Sequence, residues 1–214
     1  MQLHPYIDHT LLKPDASPGA IEKLCQEAIQ QGFYAVCVSS CYTRLASRLL
    51  KGTDVKLAVT VGFPLGTSSS EAKAQEAAIA IDQGADEIDM VLNIGYLKAG
   101  LTDEVEQEIR AVKAGIGGKT LKVILETCYL NDSEIKKACE ISEKAGAGFV
   151  KTSTGFGTAG ASIEHVKLMK QSVGKKIKVK ASGGIRDKET AIKYIQAGAD
   201  RIGTSSGIQI VSEA

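Results

Sequence analysis

A pattern of helix, glycine and strand occurs four times along the chain. Each copy has a helix-like segment, a glycine that can end the helix in the left-handed conformation, and then a short apolar run. The four glycines are Gly32, Gly84, Gly146 and Gly198. Regular alternation of helix and strand predicts a parallel sheet, because parallel neighbours need a crossover connection.

The apolar runs predict eight strands, at about residues 6–11, 34–39, 56–62, 87–92, 121–126, 148–153, 177–181 and 200–204. Helical patterns lie between most of them, and Ser17-Pro18 and Ser133 fit the residue preferences of helix starts. With about 27 residues per unit, the 214 residues predict a single-domain (β/α)8 (TIM) barrel over 1–214. An open doubly wound sheet has the same alternation and is the alternative.

Composition narrows the classes of function. The chain has 26 Lys and Arg against 25 Asp and Glu, so its charge does not indicate a nucleic-acid or membrane partner. No apolar stretch approaches the length of about 18 residues that a membrane span needs, and the polar amino terminus lacks a signal-peptide core. The five cysteines include no Cys-x-x-Cys, which is typical of free thiols in a reducing compartment. We predict a cytoplasmic protein.

Two lysines stand near the carboxyl ends of predicted strands. Lys180 follows Lys151 by 29 residues, about one helix plus one strand, so the two are expected on neighbouring strands. A buried ammonium is costly unless its charge is used. Two ammonium groups that close would lower one another's pKa and leave one a free amine near neutral pH. Both lysines are candidate nucleophiles, and spacing alone does not choose between them.

Acidic residues are expected near these lysines. Active groups of a barrel gather where strands end, and a reading of the carboxyl ends of the predicted strands includes Asp8 and Asp89. Alternation along the strands turns Asp89 inward and turns Glu126 inward together with Lys122. The other interpretation is a structural network of ion pairs that fills the lumen.

Glycine-rich loops follow the last three predicted strands. Their candidate binding residues are Gly155, Gly183, Gly184, Arg186, Ser205 and Ser206. Glycines let backbone N–H groups approach an anion, serine hydroxyls add donors, and barrels often bind phosphate after strands seven and eight. The loops predict a sugar-phosphate site, and the alternative is that they are only tight turns.

Neither a metal ion nor a cofactor is predicted. His4, His9 and His165 are scattered without ligand spacing. Residues 155–160 match G-x-G-x-x-G, but Lys180 stands where a dinucleotide site needs an acid at the end of the next strand.

Six motifs, in order over nearly the whole chain, resemble those of the deoxyribose-phosphate aldolase family. They are residues 6–14 (YIDHTLLKP), 62–66 (GFPLG), 87–91 (EIDMV), 121–127 (LKVILET), 150–156 (VKTSTGF) and 180–186 (KASGGIR). The resemblance implies a class I aldolase, a lyase that needs no cofactor. Such an enzyme interconverts 2-deoxy-D-ribose 5-phosphate with D-glyceraldehyde 3-phosphate and acetaldehyde through a lysine Schiff base.

The resemblance also implies roles for particular residues. Lys151 is then the Schiff-base lysine, Lys180 its pKa-lowering neighbour and proton-relay partner, and Asp89 the proton donor and acceptor. The positions around the family's phosphate site are matched by Gly155, Gly183, Gly184, Arg186, Ser205 and Ser206. Asp8, Glu126 and Lys122 are expected to support them.

One motif of some family members is missing. Those members end in a tyrosine that assists proton transfer, whereas this chain ends Val211-Ser212-Glu213-Ala214. We expect another group or water to assist proton transfer, or the native chain to extend beyond Ala214.

The expected ligands are a sugar phosphate and aldehydes. A homodimer and a homotetramer both stay open.

Two other classes of function stay open from the residues themselves. One is another Schiff-base or phosphate-binding barrel enzyme, either transaldolase-like or a sugar-phosphate isomerase. The other is a noncatalytic sugar-phosphate binding protein in which the lysines are only counter-charges.

Overall fold

Eight parallel strands close into a barrel in the computed structural model, which describes residues 1–212. The strands are β1 (Ile7–Leu11), β2 (Ala35–Ser39), β3 (Lys56–Val61), β4 (Glu87–Val91), β5 (Thr120–Ile124), β6 (Phe149–Lys151), β7 (Lys178–Ser182) and β8 (Arg201–Thr204). Each strand pairs with the next, and β8 closes the ring on β1 by pairing Ile202 with Ile7 and Gly203 with Asp8. The predicted TIM barrel is confirmed, and the open sheet is excluded.

Helices connect the strands and form the outer layer. They are α1 (Pro18–Gln31), α2 (Thr43–Leu50), α3 (Ser70–Asp82), α4 (Ile94–Lys98), α5 (Thr102–Gly115), α6 (Asp132–Lys144), α7 (Ile163–Ser172), α8 (Lys188–Gln196) and α9 (Gly207–Ser212). Short 3₁₀ turns occupy His4–Tyr6, Ser40–Tyr42 and Thr127–Tyr129. None of the helices in residues 1–212 has the length and apolarity needed to cross a membrane.

Side-chain caps determine where helices begin. Ser17 accepts the N–H of Ala20 at the start of α1, as its residue type predicts. The start of α6 differs from the prediction at Ser133, because Asn131 is the cap. The Asn131 side chain accepts the Glu134 N–H, and the Glu134 carboxylate accepts the Asn131 N–H in return.

The end of β5 changes the position of one predicted site residue. The strand ends at Ile124, before the predicted boundary, and Glu126 takes a left-handed φ of 54°. Alternation along the strand therefore no longer governs Glu126. Its carboxylate accepts hydrogen bonds from the backbone N–H and the hydroxyl of Thr154, so Glu126 lies apart from the ion pairs of Lys122.

Alternate residues of the strands face two different environments. The outward-facing side chains are apolar and join the main hydrophobic core with the helices, as Val59, Ile88 and Val123 do. Seven of the inward-facing side chains are both charged and buried, namely Asp8, Glu87, Asp89, Lys122, Lys151, Lys180 and Arg201. The hydrophobic effect therefore holds the barrel together from outside, and the lumen is left to ionisable groups.

A buried ion pair outside the lumen ties the helix layer to the mouth of the barrel. Lys73 of α3 is fully buried, and its Nζ lies 2.7 Å from Glu108 Oε1 of α5. It also donates to the carbonyls of Gly66 and Val91, at 2.7 and 2.9 Å. The second Glu108 oxygen accepts the N–H of Asn93 at 3.0 Å. These bonds fix the loop after β3 to α3, to α5 and to the end of β4.

We expect Lys73→Ala to lower the free energy of unfolding by about 3–5 kcal/mol, because Glu108 would be left as a buried charge without its partner. Denaturant unfolding measures this change. Lys136→Ala, at an exposed position of α6, is the matched control and should change it by less than about 0.5 kcal/mol. A loss below about 1 kcal/mol in Lys73→Ala would show that the pair is not needed for stability.

Candidate active site

Lys151 and Lys180 are direct neighbours across β6 and β7, which confirms their predicted placement on adjacent strands. The Asp89 carboxylate joins them from β4. Its Oδ2 accepts from Lys151 Nζ and from Lys180 Nζ, each at 2.9 Å. Its Oδ1 accepts from Lys122 Nζ at 2.7 Å. One buried carboxylate therefore binds three lysines.

A second layer of charges lies next to this group. Asp8 Oδ2 is 2.5 Å from Lys180 Nζ, and Asp8 Oδ1 is 2.8 Å from an Arg201 nitrogen. Glu87 lies 2.6 Å from Lys122 Nζ. Asp8 was expected from the sequence, but Glu87 and Arg201 were missed. Both could have been found by alternation, because Glu87 lies two residues before Asp89 and Arg201 lies two residues before Gly203 at the closing strand.

The cluster carries one positive charge too many when all its groups are ionised. Within the described residues 1–212, four cations face three carboxylates, those of Asp8, Glu87 and Asp89; the cations are Lys122, Lys151, Lys180 and Arg201. An unbalanced charge in a buried site is costly. Loss of one proton from one lysine would make the cluster neutral.

The ion pairs shift the pKa values of two central groups. Burial would raise the pKa of Asp89, but the ammonium groups of Lys122, Lys151 and Lys180 hold it well below its usual value. Burial would lower the pKa of Lys180, but Asp8 and Asp89 outweigh that effect and raise it. Lys180 is therefore a persistent ammonium, because its two carboxylate partners outweigh burial and any effect of the neighbouring lysine on its pKa.

A cavity of about 390 Å³ opens above the cluster at the carboxyl ends of the strands. Lys151 lines it, together with the loops after β1, β6, β7 and β8. Of the predicted phosphate-site residues, it is lined by Gly155, Gly183, Gly184, Arg186 and Ser205. Ser206 is not among the lining residues, and its N–H donates to the Thr204 hydroxyl at 2.9 Å.

The lining of this cavity suits an anion. The described residues that line it include no Asp or Glu. They include three basic residues, Lys13, Lys151 and Arg186. Gly183 has φ of 90°, and a Cβ there would lie 2.9 Å from Gly160 Cα, so only glycine fits this turn. Lys13 was not predicted as a site residue. A larger cavity of about 980 Å³ near Lys56, at the opposite ends of the strands, contains none of the predicted residues.

Two of the histidines, His4 and His9, have local roles in packing and hydrogen bonding. His9 is buried and lies 2.8 Å from Glu27, and His4 is 2.7 Å from the carbonyl of Gln31. Within residues 1–212, no group of three or more His, Cys, Asp and Glu side chains is arranged to hold a metal ion. The prediction that the reaction needs no cofactor stays a prediction.

Comparison with known proteins identifies the family. The family described as DeoC/LacD family aldolase matches residues 4–213. The chain belongs to this aldolase family. The deoxyribose-phosphate aldolase of Finegoldia magna is 58% identical to it over 211 residues, which are 99% of each chain. That of Brevibacillus brevis is 54% identical over 214 residues, 100% of this chain and 97% of its own.

A solved structure agrees with these relatives. The tetrameric deoxyribose phosphate aldolase of Aeropyrum pernix matches this DeoC/LacD aldolase with a TM-score of 0.89 at 35% identity, over 98% of this chain and 89% of that chain. The predicted family is confirmed, and so is the predicted enzyme class, a lyase. The prediction about what replaces the carboxyl-terminal tyrosine of some family members concerns residues 213–214 and any residues beyond them. These lie outside the described residues.

The ion-pair cluster of this aldolase should make its stability sensitive to acid. The pKa values of Asp8 and Asp89 lie below their ordinary 3.8, so their contribution is present above about pH 4 and is lost as the pH falls through the lowered pKa values. Lys180 has a raised pKa, so its contribution is complete below the ordinary 10.5 and is lost only in stronger alkali. In Lys180→Met, we expect the free energy of unfolding to begin falling at a higher pH than in wild type, because the carboxylates lose the ammonium group that keeps their pKa values low.

The measurement is the free energy of unfolding from about pH 2 to pH 8. Lys178→Met is the matched control, since Lys178 lies on the same strand but is exposed. Identical acid profiles for wild type and Lys180→Met would show that Lys180 does not hold the carboxylates ionised.

Proposed function

We propose that this chain reversibly cleaves 2-deoxy-D-ribose 5-phosphate to D-glyceraldehyde 3-phosphate and acetaldehyde through an imine on Lys151. The observation that carries the proposal is the position of Lys151, which binds Asp89 and also lines a cavity without lining carboxylates. The names of the relatives from F. magna and B. brevis support this substrate.

The surroundings favour Lys151 over Lys180 as the nucleophile. Lys180 is fully buried, is not among the residues that line the cavity, and binds both Asp8 and Asp89. Lys151 binds only one carboxylate among the described residues. Because a neutral Lys151 also balances the charge of the cluster, it is the lysine that we expect to supply the free amine.

The reaction follows from these groups. The neutral Lys151 amine attacks the aldehyde carbon of the open-chain sugar, and loss of water leaves a protonated imine that accepts electrons. Removal of the C3 hydroxyl proton then breaks the C2–C3 bond and releases glyceraldehyde 3-phosphate. The remaining enamine takes a proton at C2, and hydrolysis with one water releases acetaldehyde and restores the amine.

Proton transfer is assigned to Asp89, assisted by Lys180 and bound water. Asp89 begins as a carboxylate, because the lysines hold its pKa low, and can therefore accept a proton. Each such proton transfer contributes roughly 100- to 10,000-fold in rate. Asp8 and Lys122 support this by keeping Lys180 and Asp89 in place.

The phosphate is assigned to the loops after β6, β7 and β8. Gly155, Gly183, Gly184 and Ser205 offer backbone N–H and hydroxyl donors to the cavity, and Arg186 adds a positive charge. Ser206 supports the loop through its bond to Thr204.

Several wider predictions accompany this function. We propose one domain over 1–214 and a cytoplasmic location, which the free cysteines support; Cys25, Cys37 and Cys139 are buried. A homodimer and a homotetramer are both proposed assemblies, and the A. pernix protein is tetrameric.

Trapping the imine tests the proposal. Wild-type protein incubated with acetaldehyde and borohydride should carry one reduced adduct, which peptide mapping should place on Lys151. In Lys151→Arg, turnover should fall to background although the charge is kept, because a guanidinium does not supply a free amine. Lys178→Arg is the exposed-lysine control. An adduct on Lys180, or a folded and active Lys151→Arg, would overturn the assignment, and sugar turnover without any adduct would favour an isomerase.

Recognition of the phosphate should depend on Ser205. In Ser205→Asp a carboxylate would oppose the substrate phosphate, so kcat/KM should fall far more for 2-deoxyribose 5-phosphate than for 2-deoxyribose. We expect the ratio of the two kcat/KM values to narrow by more than about tenfold, or roughly 1.4 kcal/mol. Ser205→Asn is the uncharged control. An equal fall for both sugars would show that the loop does not bind the phosphate.

A further inference from the structure

Two aromatic rings meet at the mouth of the active-site cavity. Phe63, in the loop after β3, and Phe156, in the loop after β6, have ring centroids 5.4 Å apart and an interplanar angle of 88°. Phe156 lines the cavity that contains Lys151 and is 49% exposed. The pair therefore connects loops that follow strands three places apart in the barrel.

Phe63 covers an apolar wall beside the reacting amine. It packs on a small cluster of Leu12, Cys37 and Ala58, which is separate from the main core. Cys37 Sγ lies 3.9 Å from Asp89 Oδ2, the same oxygen that is 2.9 Å from Lys151 Nζ. The apolar wall thus begins at Cys37, which contacts the same carboxylate oxygen as the Lys151 amine.

The Phe156 side of the pair is anchored by Glu126. This residue is buried, and its left-handed φ of 54° is a strained conformation for a side chain of its type. Its carboxylate accepts the N–H and the hydroxyl of Thr154, and the Thr154 hydroxyl accepts the Phe156 N–H at 2.9 Å. Glu126 therefore orients the backbone that carries the Phe156 ring.

The Phe63 side is anchored by the buried Lys73 network. Lys73 Nζ binds the carbonyl of Gly66 at 2.7 Å, and Glu76 accepts the N–H of Gly62 at 2.9 Å. A Cβ at Gly62 would lie 2.8 Å from Lys73 Cε, so the loop is packed directly on the lysine stem. Both rings are therefore held in place by buried polar groups that the reaction does not use.

We propose that Phe63 and Phe156 are specificity-determining residues that restrict the donor aldehyde to two carbons, with Glu126 as the positioning residue of Phe156. We base this on the proposed imine of Lys151, since that imine presents the donor to the apolar wall. A donor with one more carbon, such as propanal, would place its methyl group against the Phe63 ring or the Cys37 wall.

Donor preference tests this directly. With D-glyceraldehyde 3-phosphate as the acceptor, kcat/KM is measured for acetaldehyde and for propanal in wild type, Phe63→Ala and Phe156→Ala. Because one methylene group is discriminated by about 10- to 200-fold in a fitted pocket, each variant should shift the ratio toward propanal by about tenfold or more. Leu65→Ala, 69% exposed in the same loop as Phe63, should leave the ratio unchanged.

A double-mutant cycle tests the role of Glu126. Glu126→Ala should shift the donor ratio in the same direction as Phe156→Ala, and the double variant should shift it no further than Phe156→Ala does by itself. Additive shifts would mean that Glu126 does not act through Phe156 and would overturn that part. Glu126→Gln, which keeps one acceptor oxygen, should shift the ratio less.

Borohydride trapping with acetaldehyde separates this inference from the proposed function. If Phe156→Ala still traps acetaldehyde on Lys151 but keeps the wild-type donor ratio, the two rings do not determine donor size. The proposed function then stands. If wild type traps no acetaldehyde, the proposed function fails, and the proposed role of the two rings in donor specificity fails with it. Phe63 is partly buried against Leu12, Cys37 and Ala58, so Phe63→Ala removes packing there. Phe63→Leu and the half-exposed Phe156→Ala keep the test valid should Phe63→Ala not fold.

Discussion

The Asp89 carboxylate holds the charged lumen together. It is fully buried and accepts hydrogen bonds from Lys122, Lys151 and Lys180. Without it, three buried ammonium groups would lose a shared counter-charge, although each buried ion already carries a desolvation penalty of several kcal/mol. An apolar lumen of the same volume would be as stable or more so. We infer that these charges are retained for the chemistry they support, and that the apolar outer core provides the stability they do not.

The arrangement of charge along the barrel axis explains how one lysine can differ from its neighbour. In the deeper layer, Asp8 and Glu87 are the counter-charges. Each of the three cations there contacts two carboxylates; these cations are Lys122, Lys180 and Arg201. In the cavity above, the described lining residues include no carboxylate. Lys151 lies at the boundary between the two regions. Among the described residues, its amine pairs with the Asp89 carboxylate alone, and it lines the cavity that would receive a ligand.

The mouth of the barrel depends on polar groups that never meet the substrate in this scheme. Loops usually carry function but lack the packing of strands. Here the Lys73–Glu108 pair fixes the loop after β3, and Glu126 fixes the loop after β6 through Thr154. Each anchor uses a buried charge whose removal would leave unpaired groups, so the two loops are held firmly enough to shape a site.

The sequence by itself determined the barrel, the strand positions and the lysine pair, because these follow from local patterns. Helix, glycine and strand recur at regular spacing, and alternation within strands assigns Asp89, Lys180 and Lys122 to one lumen. Only the tertiary structure decided what depends on distant partners or on where a strand stops. Glu126 left the predicted lumen because β5 ends at Ile124. The backbone N–H of Ser206 donates to the Thr204 hydroxyl. The pKa of Lys180 is raised by Asp8, which lies near the opposite end of the chain, and by Asp89. Ionisation and loop contacts are set by groups brought together in space, and no periodicity in the chain records them.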